Sequence, residues 1–334
     1  MSLCNGKRKP TIGKNNFNQD EKEEHGVVAF SHYSNIPLFH YSIIPMNAWT
    51  IKALLDWMTP YLEDKHVDAP RLCAEMLMCH VLAKQRIELY TQFDTEVPRA
   101  ELEALRSLVK RAAAHEPVAY LVGKTEFYSL ELAVEPGCLI PRPETELLVQ
   151  LAVEFLRASA GEPHVLDLGT GSGCIAVAIA KNCSKAHVTA TDISQTALNI
   201  AKRNVQKHGL THRITLAHGD LFSAISCGPF DLIVCNPPYV SEMEFDVLDT
   251  NVKAYEPQEA LIAGPEGTEV YERILAEVST HLKRDAALMF EIGYNQGSAL
   301  QALLQASGLF SEVDIHKDVY GHDRVVVGLR TAHK

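Results

Sequence analysis

Apolar residues recur at helical spacing in the first half of the chain and in short β-rich runs in the second. Between Trp49 and Leu62 the positions Leu54, Trp57, Met58, Tyr61 and Leu62 share one helical face. Pro60 should kink or end that helix early, since it lacks an amide donor. Asp68 is a candidate N-cap and Pro70 a first-turn residue for a second helix carrying Leu72, Met76, Leu77 and Val81. A third helix is predicted from Arg99 to His115, with Leu102, Leu105, Leu108, Val109 and Ala112 on one side. Phe127, Leu130, Leu132 and Val134 then predict an extended hairpin leading to Pro141-Arg142-Pro143-Glu144-Thr145-Glu146. Beyond it, strands are predicted to begin at His164, His187, Arg213, Phe230, Ala286, Glu312 and Arg324. They alternate with helices over 143–159, 173–182, 194–208, 267–282 and 296–307, an order that predicts a parallel α/β sheet. The chain therefore divides into a polar extension read as disordered (1–45), a helical domain (46–115), a linker with a hairpin (116–142) and an α/β domain (143–334).

Composition narrows the class. At 334 residues with 46% hydrophobic and 22% charged residues, the chain can bury a full core and lacks the signature of disorder. No apolar run approaches the ~20 residues of a membrane span, and residues 1–25 hold no apolar segment of a secretory signal. The net charge of −11 is spread over both folded parts: 10 basic against 14 acidic groups in 46–135, and 16 against 24 in 136–334. Such a field repels bare nucleic acid. The eight cysteines include no C-x-x-C pair and read as reduced residues of a cytoplasmic protein. The 15 histidines form no H-E-x-x-H or similar motif, so no metal site is expected.

Four strand ends carry candidate chemistry. The first strand, His164-Val165-Leu166-Asp167-Leu168, runs into Gly169-Thr170-Gly171-Ser172-Gly173 and a helix, an arrangement that lets a ligand approach backbone amides. Position 174 is Cys where a dinucleotide fingerprint needs Gly, and the G-K-[ST] ending of a phosphate loop is absent, so pyrophosphate is a poor ligand. The second strand ends at Asp192, an acid placed to accept the hydroxyls of a ribose, while Ser194 can cap the next helix in its stead. Asp220-Leu221 ends the third, placed either to flank an adenine ring or simply to turn the chain.

The sharpest signal is Asn236-Pro237-Pro238-Tyr239 after the apolar strand Phe230–Cys235. Two prolines remove two donors and stiffen the loop, leaving acceptors. The Asn236 side-chain oxygen and the Pro237 carbonyl can together accept both hydrogens of a planar NH2 group, and Tyr239 offers an aromatic wall. An amide or aromatic amine is a weak nucleophile because its lone pair is delocalised. Two acceptors orient it toward an electrophilic methyl and stabilise the positive charge that grows on nitrogen.

These strings resemble the release-factor glutamine methyltransferases (HemK/PrmC family). The likeness rests on GTGSG with Asp192, on NPPY, on PRPETE at 141–146, and on Tyr255-Glu256-Pro257 with Ala260, Leu261 and Gly264. Glu291-Ile292-Gly293 with Gln296, and Asp318, Gly321 and Arg324, extend it, so that it covers about Met46 to Arg330. The resemblance implies a Rossmann-like class I S-adenosylmethionine-dependent methyltransferase sheet behind a small N-terminal helical domain that grips the substrate. It implies methyl transfer from S-adenosyl-L-methionine to the glutamine N5 of the Gly-Gly-Gln motif of peptide chain release factors, supporting translation termination. Gly169, Thr170, Gly171, Ser172, Gly173, Asp192, Leu221 and Asn236 would line the cofactor; Asn236, Pro237, Pro238 and Tyr239 would hold the glutamine, with Asn236, Pro237 and Tyr239 as the catalytic set. Two positions depart from the pattern. Glu266 stands where the family usually has aspartate, and Leu221 where some members have tryptophan, which leaves the adenine contact open. The nearest rival is an adenine-N6 DNA or RNA methyltransferase, which presents the same planar NH2 group, but the acidic halves and the lack of a basic target-recognition insert oppose it. A non-catalytic S-adenosylmethionine-binding scaffold is the other alternative.

Overall fold

The computed structural model describes residues 49–331, which belong to one compact unit. The extension expected over 1–45 lies outside the described residues.

The N-terminal helices are α1 (Ile51–Asp64), α2 (Pro70–Leu82), α3 (Arg86–Thr91), α4 (Arg99–Ala112) and α5 (Val118–Val122). Their apolar faces meet in a core built around Ile51, Leu54, Met58, Leu77, Leu105 and Val109, with Trp49 and Trp57 packed at its margin. Contrary to the sequence reading, α1 runs through Pro60. Pro60 and Asp56, whose carbonyl it orphans, both lie on the exposed face, and one residue earlier the Thr59 hydroxyl donates to the Leu55 carbonyl at 2.8 Å. Asp68 does not cap α2. Ala69 occupies that position in the left-handed region (φ 45°), and the Asp68 carbonyl instead accepts from the Cys73 thiol. Two short helices were not foreseen: α3, started by a reciprocal Gln85/Glu88 capping box, and α5, which falls inside the expected linker. Glu75 on α2 is fully buried and accepts from Arg71, Arg86 and the Tyr90 hydroxyl, three donors that make burial of its charge tolerable.

A hairpin of β1 (Lys124–Phe127) and β2 (Leu130–Ala133) joins the two parts, as expected. The α/β part contains α6 (Glu146–Ala158), β3 (His164–Leu168), α7 (Cys174–Asn182), β4 (His187–Asp192), α8 (Gln195–Lys207), β5 (Ile214–His218) and β6 (Phe230–Cys235). It continues with β7 (Val240–Ser241), α9 (Glu242–Phe245), α10 (Thr250–Tyr255), β8 (Ile262–Gly264), α11 (Glu269–His281) and β9 (Leu282–Glu291). The last elements are α12 (Gly297–Ala306), β10 (Glu312–Lys317) and β11 (Asp323–Arg330). Seven strands form one sheet in the order β10-β11-β9-β6-β3-β4-β5, parallel from β9 to β5, with the antiparallel β11 and β10 at one edge.

Alternation of side chains divides the core into two layers. Val165, Leu232, Val234, Ala287 and Met289 pack under α6 and α7, whereas Leu166, Leu168, Ile233, Cys235, Leu288 and Phe290 pack under α11 and α12. Asn236 and Glu291, next in register after the Cys235–Phe290 pair, extend the row that faces α6. Two tyrosine hydroxyls tie the helical part to later segments: Tyr255 of α10 donates to the Ala114 carbonyl at 3.0 Å, and Tyr120 of α5 to the Cys138 carbonyl, between β2 and α6, at 2.5 Å. Among the described residues no helix is long and apolar enough to cross a membrane.

Because Pro60 sits mid-helix without a compensating contact on its exposed face, Pro60→Ala should restore one backbone hydrogen bond. We expect stabilisation of about 1–2 kcal/mol, the helix-interior penalty of proline less its restriction of the unfolded chain, read as a raised Tm.

Candidate active site

After β3 the chain winds outward through β4 and β5 and then returns to β6 on the other side of β3. Such a reversal opens a crevice at the carboxyl ends of the strands. A cavity of about 840 Å³ lies there. Gly169, Thr170, Gly171, Ser172, Asp192, Leu221, Asn236 and Pro238 all reach its wall, and Cys138 and Arg142 close one side. Gly173, Pro237 and Tyr239 do not line it. Gly173 (φ 80°) instead lets α7 approach α8, since a Cβ there would stand 3.2 Å from that of Ala201. Pro237 is buried, and the Tyr239 ring packs against the layer under α11 and α12, where burial pushes its hydroxyl pKa up.

The acids at the first two strand ends are held differently. Asp192 accepts from the Gly171 amide and the Ser194 amide, both at 2.8 Å, while the Ser194 hydroxyl caps α8 by accepting from Ala197. One amide of the glycine turn is thus already engaged by the acid, and burial raises the Asp192 pKa. Asp167 is completely buried beneath the turn; burial pushes its carboxyl up to about 7 even though the Thr170 hydroxyl donates to it at 2.6 Å. Asp167 Oδ1 and Ser172 Oγ have no partner. The next acid, Asp220, is paired with Arg273 at the cavity wall beside Leu221 (φ 47°).

Asn236 donates its side-chain NH2 to the Thr145 hydroxyl at 3.3 Å, which leaves its carbonyl oxygen as the acceptor available to the cavity. The loop after it is clamped by Gln296. That amide donates to the Tyr239 carbonyl at 3.0 Å and the Gly267 carbonyl at 3.1 Å, while its oxygen accepts from the Gly293 amide at 2.9 Å. Gly267 (φ 82°) must be glycine, for a Cβ would sit 2.7 Å from the Tyr239 oxygen.

In the sequence Thr145 and Glu291 stand out only as members of the PRPETE and Glu291-Ile292-Gly293 strings. Both stand at the loop: Thr145 accepts from Asn236, and its hydroxyl neighbours the Glu291 carboxyl, which is 1% exposed and pushed by burial up to about 7, the nearby hydroxyl offsetting part of that rise. Arg142 and Glu256, from the PRPETE and YEP strings, form a second brace. The buried Glu256 accepts from the Arg142 guanidinium and from the Ile140 amide at 3.1 Å, fixing the cavity wall. Among the described residues no cluster of His, Cys, Asp or Glu could hold a metal ion.

A glycine turn, an acid one strand over and an acceptor loop on the neighbouring strand, around one crevice of an open sheet, define a Rossmann-like class I methyltransferase domain. The family model described as methyltransferase small domain matches residues 145–255, and that described as PrmC N-terminal domain matches 53–123. A protein of Rhodopirellula baltica named release factor glutamine methyltransferase is 43% identical over 282 residues, 83% of this chain and 95% of that protein. Proteins of the same name from Chlorobaculum tepidum and Geobacter sulfurreducens are 39% and 40% identical over 83% and 84% of this chain, and 96% of each relative. The chain belongs to the release factor glutamine methyltransferase family, and it is a protein methyltransferase.

Two outcomes test the geometry. Gly267→Ala should destabilise the fold and, by pushing the Tyr239 carbonyl, lower kcat at least tenfold in protein that remains folded; thermal unfolding and turnover measure the two effects. Asp167 has a folded pKa of about 7 against an ordinary 3.8, so its stabilisation is complete below about 3.8 and lost as pH rises through 7. Asp167→Asn removes that loss. Its unfolding free energy relative to wild type, from denaturant titration, should rise between pH 4 and pH 8 by on the order of a few kcal/mol.

Proposed function

We propose that the cavity binds S-adenosyl-L-methionine and that the loop from Asn236 to Tyr239 holds the glutamine amide of the Gly-Gly-Gln motif in a peptide chain release factor, giving N5-methylglutamine. The observation that carries this reading is the position of Asn236, at the cavity wall with its NH2 turned to Thr145 and its oxygen left free.

The residues fit the methyl donor. The volume suits a nucleoside with an amino-acid tail, Asp192 at the wall offers acceptors to ribose hydroxyls, and the unpartnered Ser172 Oγ offers a polar group at the glycine turn. When bound, the donor supplies a methyl on a sulfonium whose leaving group is a neutral thioether. The protein's part is to aim the nitrogen. Asn236 Oδ1 at the wall accepts one N–H bond and the Pro237 carbonyl, which does not itself line the cavity, would accept the other from the same loop; this keeps the amide plane fixed and stabilises positive charge as nitrogen forms its bond to carbon. The extra N–H proton then leaves to solvent. Thr145 keeps Asn236 from rotating, and Gln296 keeps the loop from opening.

The helical part would bind the release factor away from the reacting amide, and the acidic surface argues against direct nucleic-acid contact. The reaction belongs to the cytoplasm, where release factors act.

Two substitutions separate the roles. Asn236→Ala should abolish methyl transfer to a purified release factor with cofactor affinity within about threefold of wild type. Asp192→Ala should instead weaken cofactor binding by about 1.5–3 kcal/mol, the worth of a charge-assisted hydrogen bond. Isothermal calorimetry and mass spectrometry of the methylated peptide read the two; normal turnover by Asn236→Ala would overturn the mechanism.

A further inference from the structure

A hydroxyl has one proton, and this fixes the direction of any chain of hydrogen bonds that passes through it. Thr145 sits between two side chains. It accepts from Asn236 Nδ2 at 3.3 Å, which leaves its own proton for the neighbouring Glu291 carboxyl. The topology makes this meeting unavoidable: β6 and β9 are parallel neighbours, Asn236 and Glu291 follow the register pair Cys235–Phe290, and both extend the row that faces the start of α6.

We propose that Glu291 and Thr145 are positioning residues for the methyl transfer, a two-residue relay that sets which end of the Asn236 amide faces the cavity. The proposal rests on the reading of Asn236 as the group that accepts the substrate amide. An asparagine amide has nearly the same shape either way round. Rotated by half a turn, Asn236 would present NH2 to the substrate's NH2, two donors facing each other, and its oxygen would demand the Thr145 proton. That proton is committed to Glu291. The carboxyl must therefore offer an acceptor to Thr145 at all times. It does so when ionised, and also when protonated on Oε2, the oxygen that has no partner of its own. Glu291 is 1% exposed, so water does not compete for the role. The other polar groups around the carboxyl, Arg324, Arg142 and Glu144, act on it through space, while Thr145 is the side chain that hydrogen-bonds it.

The relay is tested with the full chain, S-adenosyl-L-methionine and an intact release factor. Thr145→Val removes the hydroxyl and keeps the volume; kcat should fall about 10- to 100-fold, while KM for both substrates and the calorimetric Kd of the cofactor stay within about threefold. Thr145→Ser restores the hydroxyl and should recover kcat to within about threefold of wild type. Glu291→Leu should lower kcat to a similar degree, and the double variant Thr145→Val/Glu291→Leu should be no slower than the slower single variant, because both act through the same amide. Wild-type kcat in Thr145→Val would overturn the proposal, as would multiplicative losses in the double variant or a Thr145→Ser enzyme as slow as Thr145→Val. If Glu291→Leu fails to fold, the Val and Ser variants at Thr145 decide alone. Failure of the underlying reading looks different: wild type would then methylate no release factor, or Asn236→Ala would be as active as wild type.

Discussion

Parallel pairing of β3 with β6 is the constraint on which the site depends. Val165 to Leu168 lie against Leu232 to Cys235 in register, so the glycine turn after one strand and the Asn-Pro-Pro-Tyr loop after the other leave the sheet side by side. With β4 on the far side of β3, Asp192 joins them. No loop has to reach across the molecule. Cofactor acid, glycine turn and acceptor loop are placed by backbone hydrogen bonds buried under helices on both faces, which is why a crevice open to ligand can still be rigid.

Rigidity of the acceptor loop itself comes from a different source. Its prolines cannot join a ladder, and β7, which follows, is two residues long. Side chains from distant segments replace the missing backbone bonds: Gln296 from the start of α12 grips the Tyr239 carbonyl, Gly267 leaves room for it, and Thr145 holds Asn236. The Arg142–Glu256 brace does the same for the cavity wall before α6. The pieces of sequence that resemble the family outside the two best-known motifs are thus the fasteners of those motifs.

The alternating strands and helices of the α/β part were legible because each strand is a run of apolar residues and each long helix has one apolar face. β9 begins at Leu282, earlier than Ala286, because its first turns of sequence, Lys283-Arg284-Asp285, are polar and give no strand signal. α9, α10, β7 and β8 are too short for any period to show. α3 did have a readable sign, Gln85 three residues before Glu88, which the apolar pattern does not capture. Asn236 and Asp192 were found because strand ends carry chemistry. Thr145 and Glu291 carry no such sign, because their relation depends on the pairing of β6 with β9 and on where α6 starts, facts that no local stretch contains.

Asp192 carries one more implication. Its carboxylate is already immobilised by the Gly171 and Ser194 amides before any ligand arrives, each oxygen keeping further lone-pair directions free. The rotamer freedom of that side chain is given up during folding, when the whole sheet assembles. Association with a nucleoside then need not spend the ~0.5–1.5 kcal/mol that ordering a loose side chain would cost. The Gly171 amide also ties the end of β3 to that of β4, so a single carboxylate serves as seam and as receptor, and selection for either use preserves the other.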